Sequence, residues 1–367
     1  MVESPLIKRA PVLNPGIEAM RVLAMGSVFF AHFSPYPSPS PLFSAPPWYL
    51  ALIAVVSTAG VPVFFFISGY LAPREGRESF LGYLLSRRYL IPWLLWATIL
   101  YFPLVGVTGG RSSWEGWARF LIGYSSVYYF LALLMLFEIG RYLFRNVDCR
   151  VLFSTGLVGG VVCSALVFRY AIALPQGYRH VSPAATYLNP LMFFASYSMG
   201  LVFRRSGAGA WAARNRAPIL VAAAALAVAK YLETLVLAGR FDSWSVYFSP
   251  VSLIFGLGVS AAGFVLLIAP ARPGAPRYWI TLGGMVLPVY LVHLIFTGAF
   301  RCLFARRGWP LFPWHLFVLP LCAAGSFLLV WIGGRVTPRP WRRYIWGTEE
   351  RRNVKPTPVP ESPGECR

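Results

Sequence analysis

Residues 48–71, WYLALIAVVSTAGVPVFFFISGYL, run for 24 positions without one charged side chain. A helix rises about 1.5 Å per residue and the hydrocarbon core of a bilayer is about 30 Å thick, so roughly 20 apolar residues cross it. The chain around this stretch repeats the pattern. Comparable runs lie at 17–36, 90–108, 119–140, 151–173, 184–203, 217–238, 249–270, 279–300 and 314–334. The expected fold is therefore all-α: a polytopic membrane protein, a bundle of about ten transmembrane helices.

The charges orient that bundle. Of 33 Lys and Arg residues, 24 fall in alternate gaps and at the two ends, among them Arg21, Arg74, Arg87, Arg88, Arg141, Arg204, Arg272 and Arg277. Only eight fall in the other gaps, Arg169 and Arg301 among them, and Lys230 lies inside the 217–238 run. Such an excess marks cytoplasmic loops, so the N-terminus and the C-terminus are both expected in the cytoplasm.

Bulk composition removes other classes. The chain has 367 residues, is 57% hydrophobic and leaves no loop long enough to fold alone. One transmembrane domain, 1–346, accounts for it, followed by GTEERRNVKPTPVPESPGECR (347–367), too polar and proline-rich to bury a core and expected as a disordered cytoplasmic tail. A net charge of +20 would suggest nucleic acid in a soluble protein, but cations flanking apolar helices anchor to anionic membrane lipid instead. The five cysteines show no paired spacing, so no disulfide framework and no metal site is expected. The first run lacks an Ala-x-Ala cleavage site and reads as a retained helix.

Ionisable groups at membrane depth are costly and normally face a protein interior or a water-filled cavity. Four places qualify. On GIEAMRVLAMGSVFFAHF (16–33), the 100° helical step brings Arg21 and His32 within about 20° of each other, with Glu18 about 60° from Arg21 and 40° from His32. One face thus carries a cation at the cytoplasmic mouth and an imidazole roughly 16 Å further out. The packing alternative pairs Glu18 with Arg21 and gives His32 a hydrogen bond to a neighbouring helix. His293, in GGMVLPVYLVHLIF (283–296), lies about as far from the inner end of its helix as His32 does, so the two imidazoles can converge on one cavity, or His293 can simply pack beside Tyr290. Lys230 and Glu233 are spaced to pair along one helix face and hold helices in register. In VPVFFFISGYLAPREGRESFLGYLLSRRYLIPW (61–93), Ser68 and Gly69 permit close helix approach, while Arg87 and Arg88 are either positive-inside anchors or a fork for phosphates. His180 and His315 read as interfacial.

These residues resemble a known family, the integral-membrane acyltransferase 3 family, whose bacterial enzymes move acyl groups, usually acetyl, from coenzyme A onto sugars of surface polysaccharides. Glu18, Arg21 and His32 are similar to its first-helix acid, arginine and histidine. VPVFFFISGY (61–70) resembles its phenylalanine-rich Ser-Gly-aromatic signature, SRRYLIP (86–92) its basic pair before Ile-Pro, and VYLVH (289–293) its Tyr-Leu-x-His. The four pieces keep the family's order over roughly 16–300. At 125–134 the family often has His-Leu-Trp-aromatic, whereas this chain reads SSVYYFLALL, so no residue is carried over there.

The resemblance implies an O-acyltransferase of the bacterial inner membrane with no permanently bound cofactor, acetyl-CoA as donor, a glycan hydroxyl as acceptor and lipid as the remaining partner. It implies His32 and Glu18 as catalytic residues, Arg21, Arg87 and Arg88 on the donor's phosphates, and Ser68, Tyr70, Tyr290 and His293 along the substrates. A neutral imidazole at His32 would serve as general base toward the acceptor, or would carry the acyl group itself; the residues leave both open. The alternative with the same topology is a transporter or flippase for a polar or polyprenyl-linked solute, relaying protons through Lys230 and Glu233 or the two histidines.

Overall fold

A computed structural model of the chain describes residues 14–35, 42, 44–72, 90–108, 111–124, 126–173, 186–237, 248–270 and 277–347. Arg87, Arg88, His180 and the tail from 348 onward lie outside them. The described residues are helical, with no strand among them. In chain order the helices are α1 (Pro15–Phe33), α2 (Pro47–Leu71), α3 (Leu90–Thr108), α4 (Trp114–Ile122), α5 (Tyr129–Leu143), α6 (Cys149–Ala173), α7 (Leu191–Arg205) and α8 (Ala208–Arg214). They continue as α9 (Arg216–Leu237), α10 (Pro250–Gly263), α11 (Arg277–Arg307), α12 (His315–Val336) and α13 (Arg339–Trp346).

Six helical stretches among the described residues are long and apolar enough to cross a membrane: α2, Cys149–Tyr170 of α6, α9, α10 with its continuation to Ile268, Tyr278–Arg307 of α11, and α12. The other four expected runs appear differently. The apolar part of α3, Leu90–Pro103, is shorter. Run 119–140 divides into α4 and α5 because Gly123 takes a left-handed φ of 93° and closes α4. Run 184–203 becomes α7, whose 15 residues span about 22 Å. The remaining one, α1, carries Glu18, Arg21 and His32.

α2 is the central strut. In its most apolar window 67% of residues are buried, against 11% for α9, so α2 meets protein and α9 is left to face outward. Phe65 and Phe66 are fully buried. The Phe65 ring meets those of Phe130, Phe137 and Phe193 at 4.7, 5.1 and 5.2 Å, in tilted geometries that keep ring edges near ring faces. The Ser-Gly signature proves to be a helix crossing. A Cβ on Gly69 would stand 1.9 Å from the Tyr197 carbonyl oxygen, and one on Gly200 would stand 2.1 Å from that of Phe66, so only glycines let α2 and α7 approach this closely.

α1 lies between α2 and α11. Its start is fixed by Asn14, whose side chain accepts from Gly16 N at 2.8 Å, with Pro15 in the first turn. Midway, Ser27 enters the α2 ladder: its Oγ donates to the Val56 carbonyl at 2.5 Å and accepts from Gly60 N at 2.8 Å. A side chain inserted into the hydrogen-bond ladder is a recognised cause of helix bending, and here it also sets the register of α1 on α2. At the end of α10 a π-helical turn, Phe264–Ile268, leans on the start of α1, where Gly16 leaves room for the Leu267 carbonyl.

Candidate active site

Two groups of polar side chains sit on α1, separated by the eleven residues from Arg21 to His32, about 16 Å of helix. At the Asn14 end, Arg21 Nη1 donates to Glu18 Oε1 at 3.0 Å and Oε2 at 3.2 Å. The pairing that the sequence suggested is therefore present. Glu18 is 5% exposed, and it is pressed from behind by Gly283 of α11, where a Cβ would stand 2.2 Å from Glu18 Oε2. The carboxylate is thus held between a guanidinium and a helix backbone. The arginine side chain keeps 22% exposure and a second amino group with which to meet an anion.

At the far end of α1, His32 is partly exposed and His293 is fully buried. Their ring centroids lie 5.2 Å apart, so α1 and α11 bring together the two imidazoles that their equal depth led us to expect. Phe29, one turn before His32, sets its ring edge-on to His293 at 5.7 Å. His293 Nδ1 donates to the Tyr290 carbonyl at 2.7 Å, while its Nε2 has no hydrogen-bond partner among the described residues. Ser34, just past the end of α1, has a buried hydroxyl in the same condition.

Tyr290 stands beside His293 with its hydroxyl bonded to backbone. Its hydroxyl donates to the Val127 carbonyl, and its ring lies 5.7 Å from His293. The phenolic proton is therefore engaged with backbone, and what Tyr290 offers the histidine is its own carbonyl. Tyr128, in the segment that departs from the family pattern, returns the bond by donating to the Leu291 carbonyl at 2.9 Å. Sequence reading assigned that tyrosine nothing. Arg301 was counted as an outer cation; it extends from α11 back to the end of α1 and donates to the Ser34 carbonyl at 3.3 Å.

Ser68 and Tyr70 are elsewhere. α2 runs antiparallel to α1, so both residues sit level with the Glu18 end. Ser68 Oγ donates to the Phe64 carbonyl at 2.8 Å along its own helix. The Tyr70 ring lies against Phe66 and Phe264, 6.2 and 5.7 Å away, and its carbonyl accepts from Arg204 at 2.7 Å. Lys230, fully buried on α9, donates to Glu233 at 2.9 Å, and Ser249 at the start of α10 donates to the same carboxylate oxygen at 2.9 Å. His315, at the start of α12, is fully buried within the protein: its Nδ1 donates to the Leu311 carbonyl and its Nε2 accepts from Tyr49. No group of three or more metal-ligating side chains is present among the described residues.

The arrangement offers one partly exposed cation beside Glu18, one partly exposed imidazole far along the same helix, and a second, buried imidazole against it. A family model described as an acyltransferase domain, that of the acyltransferase 3 family, matches residues 14–333, from the cap of α1 almost to the end of α12. No curated protein and no solved structure matches the chain.

Proposed function

We propose, from the premise that this chain belongs to the acyltransferase 3 family and is a membrane acyltransferase, that it moves an acetyl or related acyl group from acyl-coenzyme A to a sugar hydroxyl of a cell-surface polysaccharide or glycan precursor. In this reading the ten hydrophobic runs cross the bacterial inner membrane with both ends in the cytoplasm. The donor enters at the Glu18 end, its phosphates on Arg21, Arg87 and Arg88, with Ser68 and Tyr70 flanking the entrance. Its pantetheine arm carries the acyl group toward His32.

At His32 the acceptor hydroxyl gives its proton to the imidazole, its oxygen forms the ester bond to the acyl carbon, and the C–S bond breaks. The coenzyme thiolate leaves and takes up a proton. Transfer through an acyl-His32 intermediate balances equally, with the imidazole nitrogen as first nucleophile and the hydroxyl as second. Glu18 acts by holding Arg21 in place.

The observation that carries this reading is the single helix with a carboxylate-held arginine at one end and, about 16 Å along, a partly exposed imidazole backed by His293. The experiment is direct. Purified protein in detergent receives radiolabelled acetyl-CoA and a glycan acceptor, and label moving to the glycan with release of coenzyme thiol supports the proposal. Solute movement without thioester consumption supports the carrier alternative, for which the buried Lys230 and Glu233 pair is the motivating feature.

A further inference from the structure

His293 sits behind His32 with one ring nitrogen occupied and the other empty. The Tyr290 carbonyl can only accept, so the proton on His293 belongs to Nδ1 and the lone pair to Nε2. A fully buried lone pair without a partner is unfavourable and calls for a donor. Of the three rings beside His293, that of His32 is nearest, at 5.2 Å between centroids against 5.7 Å for Phe29 and Tyr290, and its imidazole alone offers an N–H to a ring nitrogen. Imidazole nitrogens lie about 1.1 Å from the ring centre, so centroids 5.2 Å apart admit a hydrogen bond of about 3 Å once a nitrogen of each ring is turned toward the other, a bond that the present ring orientations do not make. A half-turn of the His32 ring about Cβ–Cγ exchanges a C–H edge for a nitrogen and barely moves the ring.

We propose that His293 is a positioning residue for His32: the Tyr290 carbonyl fixes the tautomer of His293, His293 Nε2 accepts the N–H of one His32 nitrogen, and the other His32 nitrogen therefore presents its lone pair to the exposed side. The ordering of burial supports the direction of the relay. His293 is sealed at 0% exposure whereas His32 is partly exposed, so of the two imidazoles it is His32 that a substrate can meet. The Tyr128 and Tyr290 hydroxyls, each bonded to a carbonyl across the contact between α11 and the turn before α5, keep Tyr290 and hence its carbonyl from drifting. The role of His32 in transfer rests on the reading above, whereas the tautomer relay is a property of the unliganded protein.

Full-length protein labelled with ¹⁵N-histidine is examined in nanodiscs by long-range ¹H–¹⁵N correlation, the His32 signals being assigned by their loss in His32→Gln. We expect one defined neutral tautomer of His32 in wild type, a mixture in His293→Leu, and recovery in His293→Gln, whose side-chain oxygen reaches about as far as Nε2. In acyl-transfer assays, His293→Leu should lower kcat on the order of 100-fold with little change in acceptor KM, and His293→Gln should restore a large part of it. A His32 tautomer mixture already present in wild type, or one unchanged by His293→Leu, overturns the relay. A raised acceptor KM with unchanged kcat also overturns it, by making His293 a direct acceptor contact. Absence of acyl transfer alongside a locked tautomer would instead overturn the functional reading and leave the relay standing.

Discussion

Tyr128 and Tyr290 exchange hydrogen bonds across the contact between α11 and the turn before α5: Tyr128 donates to the Leu291 carbonyl and Tyr290 to the Val127 carbonyl. Both rings are almost completely buried. The bonds flank His293 and leave neither hydroxyl free to polarise an acyl carbonyl. Tyr290→Phe should therefore lower the thermal stability of the purified protein by about 1 kcal/mol, while acceptor KM stays within a few-fold of wild type. A selective rise in acceptor KM at unchanged stability would show that the hydroxyl reaches substrate.

The Glu18 carboxylate has α11 directly behind it. Gly283→Ala would put a Cβ 2.2 Å from Glu18 Oε2 and force the carboxylate and its arginine to move. Overpacking of this kind costs about 1–3 kcal/mol, and donor KM should rise with it. Gly298→Ala on the same helix meets nothing within 4 Å and serves as the control. Equal behaviour of the two variants would separate Glu18 geometry from donor binding.

Much of this site was legible from residue spacing. Glu18, Arg21 and His32 share a face because helical periodicity says so, and His293 reaches His32 because both lie at similar depth on helices running the same way. What escaped the sequence depends on approach between distant segments. Nothing local shows that Gly283 would lie on Glu18, that Arg301 would turn back to the Ser34 carbonyl, or that Tyr128 would clamp the helix bearing His293. Hydropathy also cannot see the left-handed Gly123 that divides α4 from α5, nor that protein encloses His315, because enclosure leaves no mark on composition.

Lys230 and Glu233 are held together with Ser249 at the contact of α9 and α10. Removing one partner of a buried ion pair strands the other, so Lys230→Ala should cost about 3 kcal/mol in a denaturation assay. Turnover per folded molecule should stay at the wild-type level. A stable variant with abolished activity would return the pair to the proton-relay role.

The arginines at 87 and 88 are tested through donor binding. Arg87→Ala with Arg88→Ala should weaken acyl-CoA affinity more than it lowers turnover at saturating donor, since a guanidinium fork on phosphate contributes to binding and stands far from the acyl carbon. Unchanged donor affinity in the double variant would make both residues topological anchors only.

The central claim is that His32 performs the transfer. Its most direct test compares His32→Ala with wild type in label transfer from radiolabelled acetyl-CoA to glycan, at matched amounts of folded protein and saturating donor. The account predicts loss of transfer by a factor on the order of 100 or more, with donor still bound. Transfer at the wild-type rate by folded His32→Ala protein would contradict it.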